Sequence, residues 1–198
     1  LFMNEIKNII FDFGGVLYDI DVQKTIDKFK ILGIDDNSSL DNLYTLLFEI
    51  EIGKIEEVEF LNRLHELSKN NSSKEDLLDA FNGILIGIRE NKVIDLIRLS
   101  NTYHLYLLSN TNIIHYNLFS EQIKSNRNTY LFYELFVKEY YSFELGLRKP
   151  DPDIFKYVLN DSKLVANETL FIDDDEKNIN AAKELGIHTF WFQNHDNW

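Results

Sequence analysis

The strongest constraint in this chain is a carboxylate set into an apolar run. Residues Ile6 to Phe13 are nearly continuously apolar, contain Asp12, and break sharply at Gly14-Gly15. Such a run reads as a strand covered on both faces, and strands of that kind belong to parallel sheets wrapped by helices. An unpaired charge buried there costs several kcal/mol, so Asp12 calls for a compensating partner. Capping of the Gly-Gly turn is the plain alternative.

Other runs repeat the pattern: His104–Ser109, Val137–Ser142, Thr169–Asp173 and His188–Phe192. Between them lie helical patterns at Glu90–Ser100, at Asp153–Leu159 after a Pro-Asp-Pro start, and at Glu176–Leu185 ahead of a Gly186 stop. Strands alternating with helices predict an α/β fold, a mostly parallel sheet with helices on both faces, and ligands at the carboxyl ends of the strands. From Asp21 to Arg89 the alternation fails. No strand is legible there, and amphipathic helices are predicted from Asp21 as N-cap through Phe29 to a stop at Gly33, then over Ser39–Ile50, Glu56–Ser68 and Lys74–Phe81, with Asn70–Ser73 a loop. A helical insert placed directly after the first strand would stand over the strand ends as a lid.

The balance of 20 Lys+Arg against 33 Asp+Glu gives a formal charge of −13 over 198 residues, which argues against a nucleic-acid partner. A small anion can still be held by a local site of amides, a metal ion or one placed Lys. The absence of Cys excludes disulfides and thiolate-ligated metals and fits a reducing compartment. Glu5, Lys7 and Asp12 interrupt the N-terminal apolar residues, so neither a secretory segment nor a membrane span is drawn, and a cytoplasmic protein with no membrane partner is expected. Leu1 and Phe2 precede the only Met, Met3, and are read as lying ahead of the native start. Tyr140, Tyr141 and Trp191 are read as core.

Three more features fall where strands end. Asp173-Asp174-Asp175 would repel one another unless a cation sits among them, and a hard ion such as Mg²⁺ could take oxygens from Asp12 and Asp174. Asp175 is assigned the plainer task of capping the following helix. Ser109-Asn110-Thr111-Asn112 offers hydroxyl and amide donors for a phosphoryl oxygen, although helix capping explains the same residues. Lys149, beside Arg148 and ahead of Pro150, could act as a point charge on a phosphate, or could be a solvated loop Lys.

In chain order, FDFGGVL, LLSNTN, RKPDPDIF and FIDDDEKNINAAKELGI resemble the four motifs of the haloacid dehalogenase-like (HAD) hydrolase superfamily, across roughly residues 6–17 and 91–192. The resemblance implies a Rossmann-like core from 1–17 and 91–198 and a small helical cap from 18–90. FDFGGVLYDID, LSNTN and GKIEEVEFLNRL are similar to a bacterial branch that holds sugar-phosphate phosphatases, the α-D-glucose-1-phosphate phosphatases among them. It further implies Asp12 as a nucleophile that becomes an aspartyl-phosphate, Ser109, Lys149, Asn110 and Gly15 around the phosphate, and Mg²⁺ held by Asp12, Asp174 and the Gly14 carbonyl, with Asp173 acting through a metal-bound water. The implied substrate is a small phosphorylated metabolite, a sugar phosphate by branch.

Gly14 departs from the usual pattern, in which an Asp two residues after the nucleophile protonates the leaving oxygen. The carbonyl remains and the carboxyl is gone, so good leaving groups are expected to be preferred, as proton transfer is typically worth about 10²–10⁴-fold. Asp19 and Asp21 are candidate substitutes, but hinge and cap duties suit them better; His65 and His115 are read as surface or core-edge residues. Dehalogenation at the same Asp would need no metal, and the Asp173-Asp174 pair weighs against it. Phosphoglucomutase chemistry leans on the acid missing at Gly14. A non-catalytic phosphate-binding module would not need Asp12.

Overall fold

A computed structural model describes residues 6–193; the ends of the expected core, 1–5 and 194–198, lie outside the described residues. In chain order the elements are β1 (Asn8–Phe11), β2 (Tyr18–Ile20), α1 (Val22–Ile31), α2 (Asn37–Glu51), α3 (Glu57–Leu67), α4 (Lys74–Asn82), β3 (Leu85–Ile88), α5 (Glu90–Ser100), β4 (His104–Ser109), α6 (Ile113–Ser125), β5 (Lys138–Tyr141), α7 (Ser142–Leu145), α8 (Pro152–Asp161), β6 (Thr169–Asp173), α9 (Glu176–Glu184) and β7 (His188–Trp191). None of the described helices is long and apolar enough to cross a membrane.

A 5-stranded parallel sheet in the order β5-β4-β1-β6-β7 forms the core. Alternation along each strand decides which layer a side chain joins. Ile9 and Phe11 of β1, with Leu105 and Leu107 of β4, face Val93 and Leu96 of α5 and Phe119 of α6. Ile10, Tyr106 and Leu108 point the other way, into Phe155 of α8, Phe171 of β6 and Ile179 of α9. Both faces are therefore apolar, which is why these strands read as unbroken hydrophobic runs. The order is Rossmann-like, and its switch point falls between β1 and β6, where the crossover direction reverses and a crevice opens at the strand ends.

The insertion after β1 is a helical unit with its own core. Phe29 of α1, Leu43, Leu46 and Ile50 of α2, Phe60 and Leu64 of α3, and Leu77 and Phe81 of α4 pack together, joined by Ile114 of α6. The helices begin where short polar side chains can take up free amides: Asp21 accepts from the Lys24 N–H, Asp36 from Ser39 and Ser73 from Asp76. Standing over the carboxyl ends of the sheet, the insertion is the cap that the sequence predicts.

Two expectations are corrected. Leu85–Ile88 is a strand, paired antiparallel with β2 as a 2-stranded ribbon between cap and core. It has a weak signature because the run is only half-buried and Gly87 sits at φ 151, so it shows neither alternation nor a fully apolar face. Trp191 is also not core: it is 41% exposed, while Tyr140 and Tyr141 are buried as expected.

Asp19 of the ribbon ties it to α5. Its carboxylate accepts from Lys92 Nζ at 2.8 Å and from Arg89 Nε at 2.6 Å. Burial alone would raise the Asp19 carboxyl, but Lys92 and Arg89 together hold it below the usual carboxylate range. The Lys92 side chain is 0% exposed, so Asp19 supplies the opposite charge that its burial calls for. We predict that Asp19→Asn lowers stability by about 3–5 kcal/mol, the usual cost of leaving one member of a buried pair uncompensated. Urea denaturation checks this, and a loss below about 1 kcal/mol would show that Lys92 is satisfied in other ways.

Candidate active site

Register brings the acidic residues together. Phe11 lies level with Leu107 of β4 and Ile172 of β6, so the next residue of each strand, Asp12 and Asp173, meets its counterpart at the switch point. Oxygens of Asp12, Asp173 and Asp174 all lie within 4.8 Å of one another. Lys149, only 1% exposed, reaches in from the loop before α8; its Nζ donates to Asp12 Oδ1 at 2.6 Å and to Asp173 Oδ2 at 2.7 Å. Residues 137 positions apart in sequence thus share one ion pair.

The electrostatics follow from one ammonium facing several carboxylates. Burial pushes the Asp12 carboxyl up to about 7; Lys149 opposes that rise, and Asp173 and Asp174 reinforce it. For Lys149, burial alone would favour the neutral amine, but Asp12 and Asp173 outweigh it and hold the ammonium above its ordinary range. The excess of negative charge, with an all-oxygen donor set, suits a hard divalent cation, which would relieve the same repulsion.

Neighbouring side chains hold this arrangement. Asn110, just past β4, donates from Nδ2 to the Lys149 carbonyl at 2.8 Å, while its Oδ1 accepts from the Lys149 N–H at 2.9 Å. The Asn110 amide thus grips the backbone that presents Lys149. Ser142 Oγ donates to the Thr111 carbonyl and accepts the Thr111 N–H, fixing the turn after Ser109. Ser109 itself is buried at the end of β4. Asp173 is fully buried and held by several donors: besides Lys149 it accepts from Asn178 Nδ2 and the Asp175 N–H. Asp175 caps α9 through the Lys177 N–H, as expected of it.

Gly15 adopts φ +83, and a Cβ there would overlap Asp174 Oδ2. The glycine lets the Asp174 carboxylate approach the turn after β1, a close approach that no side chain permits. Gly14 differs: a Cβ would sit 3.7 Å from Ile20, in ordinary contact, so the turn has room for a side chain that this sequence lacks. Neither Asp19 nor Asp21 stands in for it, since the first is bound to Lys92 and Arg89 and the second caps α1.

His115 is buried and stacked on Phe81, with Nε2 against the Phe81 carbonyl and Nδ1 against Asn112; burial lowers its pKa to about 4. His65 lies half-buried on α3. Sequence reasoning missed Asn178 and Ser142. Asn178, five residues past Asp173 and so over the first turn of α9, could have been found from that spacing, whereas the Ser142 contact is purely tertiary. It also missed Glu51 at the end of α2, which forms an ion pair with Arg148 at 2.9 Å and so joins cap to core.

We predict that Gly15→Ala displaces Asp174 and weakens divalent-cation affinity at least tenfold, with the fold retained. Calorimetric titration of the cation into both proteins checks this, and an unchanged affinity would exclude Asp174 from the site.

Comparison with known proteins fits this geometry. The family model for haloacid dehalogenase-like hydrolases matches residues 6–186. A D-ribitol-5-phosphate phosphatase from Bacteroides thetaiotaomicron is 38% identical over 200 residues, covering 98% of this chain and 95% of that protein. A HAD family enzyme from the same organism, solved in complex with magnesium and inorganic phosphate, superposes with a TM-score of 0.87 at 35% identity, over 98% of this chain and 97% of that one. A predicted HAD-like family hydrolase from Porphyromonas gingivalis gives a TM-score of 0.86 at 34% identity, over 98% and 94% of the two chains. With the motifs, the parallel sheet and the helical insertion after its first strand all in agreement, the chain belongs to the haloacid dehalogenase-like hydrolases, in their helical-cap form.

Proposed function

We propose that the protein is a Mg²⁺-dependent phosphatase that hydrolyses a small phosphate monoester through an aspartyl-phosphate on Asp12. The observation that carries this reading is the buried Lys149 ammonium between Asp12 and Asp173, with Asp174 completing an oxygen cluster. A phosphoryl dianion will not approach a carboxylate until charge is neutralised, and this site supplies Lys149 and a place for a cation. A relative solved with magnesium and inorganic phosphate, and another named as a phosphatase, support the same chemistry.

In this mechanism a bound Mg²⁺ would contribute positive charge beside the phosphoryl oxygens. Asp12, Asp174 and the Gly14 carbonyl would hold it, with Asp173 acting through water. Asp12 forms a bond to phosphorus as the bond to the leaving oxygen breaks. Ser109 Oγ and Lys149 Nζ bind phosphoryl oxygens, Gly15 lines the turn beside them with its own N–H donated to the Tyr18 carbonyl, and Asn110 keeps Lys149 in position. The leaving alkoxide takes its proton from water, because Gly14 carries no acid. A second water then attacks phosphorus, releasing phosphate and restoring the carboxylate. The reading treats 18–90 as the cap that covers the site and 1–17 with 91–198 as the core. What supports a sugar or sugar-alcohol phosphate as substrate is the D-ribitol-5-phosphate phosphatase relative and the resemblance to the sugar-phosphate branch.

Turnover of p-nitrophenyl phosphate should require Mg²⁺, stop on chelation, and fall at least about 10³-fold in Asp12→Asn, the order lost when a nucleophile is removed. Halide release from a haloacid without metal would favour the dehalogenase instead, and undiminished activity in Asp12→Asn would sink the proposal.

A further inference from the structure

A cavity of about 470 Å³ runs from Gly14, Ser109 and Asn110 up between the cap helices. That volume is in the range of about 300–1,000 Å³ that encloses a whole small-molecule ligand, far more than a phosphoryl group needs. The walls beyond the phosphate end are aliphatic and aromatic: Ile26 and Phe29 of α1, Leu43 and Leu47 of α2, Phe81 of α4 and Phe119 of α6 all contribute.

The polar side chains in the deeper wall are already engaged. Thr25 Oγ1 donates to the Ala80 carbonyl, Asn112 is bonded to His115, and the second ring nitrogen of His115 meets the Phe81 carbonyl. Lys30 and Tyr44 are exposed residues at the rim. Glu51 Oε2, ion-paired with Arg148 but without a hydrogen bond of its own, is a buried acceptor on this wall, and the Thr111 hydroxyl lies beside the phosphate end. A polyol bound here would strand most of its hydroxyls, and each hydroxyl buried without a partner costs binding free energy. An apolar chain would instead replace water along the whole wall.

Resting on the phosphatase reading above but departing from a sugar or sugar-alcohol substrate, we infer that the cavity between Gly14 and the cap helices takes a largely apolar alcohol. Among esters whose leaving groups are equally basic, the preferred one is then an alkyl, alkenyl or aryl-alkyl phosphate, with room for one hydroxyl at Glu51, rather than a sugar or polyol phosphate.

The test is kcat/KM of the whole protein with Mg²⁺ on ethyl, butyl, hexyl and octyl phosphate, whose leaving groups differ little in acidity. D-ribitol 5-phosphate serves as the polyol and p-nitrophenyl phosphate as reference. Values should rise about threefold to fourfold per methylene, the gain from burying a CH₂, until the cavity is filled, and hexyl phosphate should exceed the polyol ester at least tenfold. A flat or falling series, or a polyol ester better than hexyl phosphate, with normal p-nitrophenyl phosphate turnover, overturns this inference and leaves the phosphatase reading standing. Silence on every ester, the reference included, removes both. Leu47→Gln places an amide on a half-buried part of the wall and should flatten the series. Circular dichroism verifies its fold, a retained slope in the folded variant overturns the inference, and the wild-type series decides alone if the variant does not fold.

Discussion

Everything at the strand ends depends on one buried ammonium. Lys149 Nζ bridges Asp12 and Asp173, and without it the sheet would carry carboxylates at its centre with no side-chain positive charge beside them. Few devices in the site are independent of that contact. Asn110 clamps the Lys149 backbone, Ser142 fixes the turn from which Asn110 projects, and Asn178 with the Asp175 N–H holds Asp173 in place. Such hydrogen-bonded shells keep a site pre-organised, so that little reorganisation is needed when charge arrives.

The fold makes the encounter unavoidable. A parallel sheet whose order reverses between β1 and β6 leaves a crevice where neither crossover covers the strand ends, and the register puts Asp12 and Asp173 side by side there. The helical insertion, leaving the chain directly after β1, roofs that crevice. Asp19, Lys92 and Arg89 tie the ribbon at its base to α5, and Glu51 reaches from the far end of α2 to Arg148, next to Lys149. The roof is thus joined to the core on both sides.

Much of this was legible in the sequence, for physical reasons. Strands covered on both faces must be apolar at every position, so the runs at Ile9–Phe11, Leu105–Leu108 and Leu170–Ile172 stood out, and a carboxylate at the end of such a run had to have a partner. Caps at Asp21 and Asp175 follow from local amide geometry, which the sequence encodes within a few residues. What escaped was tertiary or weakly patterned. Leu85–Ile88 is half-buried with a glycine in it, Trp191 lies at the rim of the edge strand, and the grips of Ser142 on Thr111 and of Glu51 on Arg148 link residues far apart in the chain. The apolar wall of the cavity was hidden too. Leu43 and Phe29 fit an amphipathic pattern whether they face a core or a ligand, and only the packed helices distinguish the two.

The central claim is that Asp12 itself takes up the phosphoryl group. Acid quenching of the enzyme during steady-state turnover, followed by mass spectrometry of the peptide spanning β1 and the Gly-Gly turn, tests it most directly. The account predicts a phosphoryl group on Asp12 that appears on mixing and disappears as substrate is exhausted. Full turnover with that peptide unmodified at every time point, or with the label on another residue, would contradict it.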